Sequence, residues 1–182
     1  QDYPSFFPVY SSQVMRFGRW PHDTAQVVER LQAYLADPYV QEVFDDVDSV
    51  FADFSPYQKA LEKAFRYFKY YYPEKKVPRV VPFISNFSLS AATFDSTTLG
   101  IGLDMHLGSE YKYYKDLYPQ YMYQQFTPEY MVANAVQAWG QSVHNIVPQG
   151  NTLLAEMLAR GMALYFTELM MPYTPDHIIM GY

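Results

Sequence analysis

The sequence predicts an α+β domain, and three observations predict it. Apolar residues recur at helical spacing from Thr24 to Tyr72. A β-rich, proline-punctuated stretch then runs from Val77 to Leu103, and two further amphipathic segments follow Thr127. Helices, then short strands, then helices is the segregated order of an α+β fold, not the regular alternation of an α/β sheet. With 182 residues and no internal repeat, residues 1–182 read as one domain around one core.

The elements follow in order. Pro4, Pro8 and Pro21 interrupt the start, leaving a short helix around Phe6–Phe17. Val27, Val28, Leu31, Tyr34 and Leu35 mark the next helix, with Asp23 or Thr24 as its N-cap. Asp37-Pro38 stops it and restarts the chain, because the residue before a proline is pushed out of the α region while proline suits a first turn. Val40, Val43, Phe44, Val47 and Phe51 carry that helix. Ser55-Pro56 restarts the chain again, and Leu61, Phe65, Phe68 and Tyr72 recur until Pro73. Val77 to Ile84 reads as an edge strand, since its prolines cannot donate to a ladder on both sides. Leu89–Phe94 and Thr98–Leu103 complete a small β-meander around the turn residues "FDST". A Tyr-rich connection covers residues 108–126. Thr127 and Pro128 open a helix with Met131, Val132, Ala135, Val136, Trp139 and Val143 inward. The last helix begins near Asn151 or Thr152, turns Leu153, Leu154, Met157, Leu158, Met162 and Tyr165 inward, and ends before Pro172. Its Glu156 and Arg160 are spaced for an ion pair.

Composition narrows the chemistry. The net charge of −6 lacks the basic footprint of a nucleic-acid binder, and the basic cluster of Lys75, Lys76 and Arg79 sits in a turn. The sequence has no cysteine, which removes thiol catalysis, disulfides and thiolate metal sites from this chain. No apolar run reaches the ~18 residues of a membrane helix. The opening Gln1-Asp2-Tyr3, without an initiator Met, leads us to expect that a leader segment has been removed upstream. The 19 Tyr and 13 Phe imply broad half-buried aromatic surfaces, a ligand groove, or both.

The stretch "EYMVANAVQAWGQSVHN" poses the main chemical question. Asn134, Gln137, Gln141 and His144 share one side of a helix. A zinc-peptidase helix carries His-Glu-x-x-His, two imidazoles one turn apart and a glutamate to activate water. Here Gly140 stands one turn before His144, so the face reads as solvated or loop-bonded amides. Asp104 and His106 alternate near a strand and would supply only two ligands of a metal site, with His144 a distant third. We therefore expect no metal and no cofactor. Asp45, Asp46 and Asp48 fail the calcium-loop pattern, having Phe51 and Tyr57 at its glycine and glutamate places. "LGIGLD" lacks the third glycine of a dinucleotide fingerprint, and its glycines read as close backbone approaches or a bulge. No nucleophile elbow is present. Tyr111, Tyr113, Tyr114 and Tyr118, with Tyr121 and Tyr123, form either a binding surface or a cover over the helices.

Four stretches, in order, carry a resemblance: "ALEKAFRYFKYYYPEKKVPRV", "FISNFSLSAATFDSTTLGIGLDMHLGSEYKYY", "FTPEYMVANAVQAW" and "LLAEMLARGMALYFTELMMPYTPDHIIMGY". Together they resemble the gliding-motility lipoproteins of the GldB type from the Bacteroidetes, over most of the chain. The resemblance implies a lipid-anchored protein of the cell envelope, on the periplasmic face of a membrane. It places the anchoring cysteine upstream of Gln1 and makes this chain part of a longer protein. Some members work with the gliding and secretion machinery of the outer membrane. The helix order is also similar, more distantly, to gluzincin-type zinc metallopeptidases. Arg160 in "ARGMALYF" then stands where their ligand glutamate would, and Asn134, Ala135 and Ala138 stand where His-Glu-x-x-His would. That likeness implies a zincin-like scaffold without catalytic or metal residues.

The expectation is a non-enzymatic envelope protein that binds a protein or peptide partner. Asn134, Gln137, Gln141 and Arg160 line its candidate cleft, and no nucleic acid is involved. The alternatives are a metal-dependent hydrolase built from His106, Asp104 and His144, and a glycan-binding lipoprotein.

Overall fold

The structure is a computed structural model that describes residues 6–95, 97–148 and 150–181. Helix α1 (Phe6–Val9) passes into a π-helical turn at Tyr10–Val14. Three helices follow: α2 (Thr24–Ala36), α3 (Pro38–Val50) and α4 (Ser55–Tyr71). The proline signals hold. The Asp37 carboxylate accepts the Tyr39 N–H at 2.9 Å, capping α3 with Pro38 at its first position. Asp53 accepts the Ser55 N–H at the head of α4, and α4 ends at Tyr71, two residues before Pro73. Asp23 does not cap α2. Its carboxylate is turned to the Arg19 N–H instead.

Strands β1 (Arg79–Phe83), β2 (Ala91–Asp95) and β3 (Thr98–Gly102) form a sheet in the order β1-β3-β2. β2 and β3 make the expected antiparallel hairpin, but position 96 of its turn lies outside the described residues. β1 pairs with β3 in parallel, so the sheet is mixed and not the expected meander. The physical reason is the seven-residue connection from 84 to 90, which crosses from one side of β3 to the other before the hairpin forms. β1 is an edge strand, as Pro82 requires. The central β3 is buried along its whole length. A Cβ on Gly100 would lie 2.2 Å from the Phe94 ring, and one on Gly102 would lie 2.0 Å from the Leu89 carbonyl oxygen. These glycines serve close packing, and the ladder bulges between Thr93 and Asp95.

Each face of the sheet has its own cover. Phe6, Val81 and Phe83, with Tyr10 and Phe94 against them, form a small cluster beneath the N-terminal segment. Leu99 and Ile101 belong to the main core on the other face, where Phe68, Val136, Trp139, Phe166 and Met170 meet. A 3₁₀ turn (Leu103–Met105) and two short helices, α5 (Tyr114–Leu117) and α6 (Gln120–Tyr123), lead to α7 (Pro128–Val143). Pro128 holds the first position of α7, but the Thr127 hydroxyl makes no cap bond and is buried without a hydrogen-bond partner among the described residues. α8 (Leu153–Met170) is capped by Thr152, whose hydroxyl accepts the Ala155 N–H at 3.2 Å, and α9 (Asp176–Met180) closes the described chain.

The largest departure from expectation lies in α8. Leu153, Leu154, Met157, Leu158, Met162 and Tyr165 are not inward; they are 77, 65, 61, 58, 53 and 62% exposed. The inward face is Ala155, Ala163, Phe166, Thr167 and Met170. α8 is apolar on two faces, so spacing alone does not choose between them. The face of small residues wins because it admits α7 closely: a Cβ on Gly140 would meet the Phe166 ring at 2.2 Å. No ion pair joins Glu156 to Arg160 among the described residues.

Candidate functional site

Asp104 and His106 are both fully buried at the end of β3. They do different structural work. One Asp104 carboxylate oxygen accepts the Ser85 N–H at 2.9 Å, and the other accepts the Phe87 N–H at 2.6 Å. The Ser85 hydroxyl lies 3.1 Å from both oxygens and itself accepts the Ser88 and Leu89 N–H groups. Burial pushes the Asp104 pKa up, and the Phe87 and Ser85 donors pull it back. This carboxylate is the hub of the 85–89 loop, in which Asn86 (φ 56°) and Phe87 (φ 58°) are left-handed. Such a conformation is unfavourable for a bulky residue by roughly 1–2 kcal/mol and persists only when its surroundings fix it.

His106 donates from Nδ1 to the Gly102 carbonyl at 3.1 Å, which leaves Nε2 as the acceptor. The Asn134 side-chain amide approaches Nε2 at 3.4 Å. Burial pushes the imidazole down to about 4, so it is neutral at physiological pH. His144 lies apart, at the C-terminal end of α7 against the rings of Tyr72 and Phe166. Burial and then the Lys75 charge lower its pKa. No group of three or more metal-ligating side chains occurs among the described residues.

The expected cleft residues separate. Asn134 turns inward toward His106, Gln137 and Gln141 are half-buried on α7, and Arg160 is exposed on α8. Tyr111, Tyr113, Tyr114 and Tyr118 of the Tyr-rich segment form a cover, whereas Tyr121 is 72% exposed. Tyr114 is fully buried, accepts the Leu107 N–H at 3.0 Å and donates to the Asp104 carbonyl at 2.6 Å. It is therefore no part of a binding surface. Tyr111 donates to Asp46 and Tyr113 to Glu42, both on α3, while Tyr118 donates to the Phe87 carbonyl. Lys112 pairs with Glu42 and Asp46 beside them. Each ring closes apolar surface while its hydroxyl finds an acceptor, which is how tyrosine is buried without an orphaned polar group.

The open surfaces lie elsewhere. A cavity of about 650 Å³ lies between the N-terminal segment, Tyr34 of α2 and the 85–94 segment. Its wall includes two left-handed non-glycine residues, Arg16 and Asn86. A second cavity, of about 460 Å³, is walled by Phe68, Lys75, Lys76, Trp139 and Val143, with Thr93 at its rim. A third, of about 440 Å³, runs between α8 and α9 past Gly161, Tyr165 and Met180. Sequence reasoning missed the first and third. Asparagine is only a weak signal for the left-handed region and arginine is none, while the apolar stripe of α8 reads as core.

No helix among the described residues is long and apolar enough to cross a membrane. No curated protein and no solved structure matches the chain. One family's sequence model, described as gliding motility protein GldB, matches residues 1–182, the whole of the sequence. The chain therefore belongs to the GldB family of gliding-motility lipoproteins, a membership that implies association with the cell envelope.

Proposed function

We propose that this protein is a non-catalytic envelope component that works by holding a partner protein against α8. One observation carries the reading: six large apolar side chains on three turns of α8 are each more than half exposed. Scattered surface leucines need no explanation, but a contiguous stripe on the order of 500 Å² marks an interaction surface. The 440 Å³ groove continues the stripe toward α9, and the charged residues of its wall are acidic, Glu168 and Asp176. The matching partner presents an apolar helix with basic residues at its margin. The non-catalytic half of the reading is supported by Asp104 and His106, whose polar atoms face protein donors and acceptors.

Two measurements test it. Leu154→Asp with Leu158→Asp should leave melting within about 2 °C, because neither side chain is buried. The same pair should abolish complementation of a chromosomal deletion at unchanged protein level. Full complementation removes α8 as the working surface. Untagged protein incubated with zinc and desalted should retain less than about a tenth of an equivalent. Near one equivalent, lost in His106→Gln, would restore the hydrolase reading.

A further inference from the structure

We propose that the open edge of β2 is a strand-addition site for an extended acidic peptide segment, distinct from the α8 surface. β3 lies on one side of β2, and among the described residues no strand lies on the other. The Gly102 N–H bonds the Ser90 carbonyl at 2.9 Å, which makes Ser90 and Gly102 a hydrogen-bonded pair. Register then makes Ala92 and Gly100 the next such pair. Ala91 and Thr93, lying between them, point their N–H and C=O groups away from β3 toward the open edge. No side chain or backbone group of the described residues takes these up. Ala91 to Phe94 are all half-buried, in contrast to the fully buried β3.

An exposed edge alone is common. Here it has a pocket on each face of the sheet. Thr93 lines both the 650 Å³ and the 460 Å³ cavity. Ala92 and Phe94 face the first, on the side covered by the N-terminal segment, and Trp139 and Val143 back the second. Successive side chains of a strand point to opposite faces. A segment added along β2 would place alternate side chains in the two cavities while its backbone bonds Ala91 and Thr93.

Charge selects the occupant. The net charge of the chain is −6, yet the charged residues lining these cavities are all cations. Arg16 lines the first, with Arg30 bonded to its carbonyl at 3.0 Å. Lys75 and Lys76 line the second, and the Lys69 amine is anchored on the Pro73 and Lys75 carbonyls beside it. The remaining walls mix apolar and aromatic side chains with neutral polar ones, such as Gln13 and Asn86 in the first and Thr97 and Ser142 in the second. The matching ligand is an extended segment with Asp or Glu among apolar residues, acidic at positions of both parities.

The probe is a blocked peptide of about eight residues, Val-Glu-Asp-Leu-Glu-Asp-Val-Val, titrated by calorimetry and by Trp139 fluorescence. Binding below about 1 mM is expected, weakening at least about tenfold in three cases. These are N-methylation of alternate peptide amides, replacement of the acids by their amides, and Lys75→Glu with Lys76→Glu. Thr93→Pro should also abolish binding, since that N–H serves no ladder bond and an edge tolerates proline. Should Thr93→Pro unfold, the N-methylated peptide still decides whether strand pairing occurs. No binding of the acidic peptide, or equal binding of its N-methylated or amide forms, overturns the proposal. The Leu154→Asp, Leu158→Asp protein should bind the peptide as the parent does, which keeps this site separate from the α8 reading.

Discussion

Asp104→Ala is expected to destabilise the protein by roughly 3–5 kcal/mol. The carboxylate is fully buried and receives the Ser85 and Phe87 N–H groups at 2.9 and 2.6 Å. Truncation leaves two backbone donors in the interior without acceptors, at roughly 1–3 kcal/mol each. The Ser85 hydroxyl also loses both oxygens it faces, and with them the orientation that lets it receive Ser88 and Leu89. The left-handed Asn86 and Phe87 then lack the contact that holds them. Asp104→Asn keeps one acceptor oxygen and should cost about half as much. Urea unfolding measures both changes, and hydrogen exchange at the Ser85 and Phe87 amides locates them. A loss below about 1 kcal/mol for the alanine protein would mean that the 85–89 loop does not depend on this carboxylate. The effect reaches the proposed strand-addition site as well, because Ser85, Asn86 and Ser88 form part of the wall of the 650 Å³ cavity.

Acidification is expected to expose the second buried group. His106 is held down to about 4 by burial, against an ordinary value of 6.5. In the unfolded chain it takes up a proton as pH falls through 6.5, whereas the folded protein resists until about 4. Over that window the unfolded state binds more protons, so stability falls with pH, by about 3 kcal/mol in all. Asp104 contributes with the opposite sign. Its folded pKa is raised, so acidification above its unfolded value favours the folded state. His106→Gln separates the two, since glutamine does not titrate but can still donate to the Gly102 carbonyl and face Asn134. The difference between parent and His106→Gln unfolding free energies should change by about 3 kcal/mol between pH 7 and pH 4. A difference that stays flat across this range would show that the imidazole is hydrated or protonated in the folded protein.

How much of this was legible beforehand depends on whether the cause was local. The boundaries of α3 and α4 were, because Asp37-Pro38 and Ser55-Pro56 act on their own backbone through sterics and capping. The edge position of β1 was, because Pro82 lacks a donor. Asp104 and His106 were visible as a pair of polar residues near a strand end. Nothing in their spacing said that one would fasten the 85–89 loop and the other would face Asn134, because those partners come from 17 to 28 residues away. The tyrosines divided similarly. Their number announced half-buried surface, but only docking on α3 gave Tyr111 and Tyr113 their acceptors in Asp46 and Glu42.

By itself, then, the sequence determined the α+β class, the order of the principal helices and strands, and the family. Hydrophobic period, proline and capping residues are short-range, and family likeness is written in residue order. Tertiary structure decided the parallel pairing of β1 with β3, the open edge of β2 between two cavities, and the direction in which α8 faces. α8 shows why. Leucines and methionines on one side and alanines with Phe166 on the other are both acceptable cores by spacing. The contact of Gly140 with the Phe166 ring chose the alanine face and left six large apolar side chains in solvent.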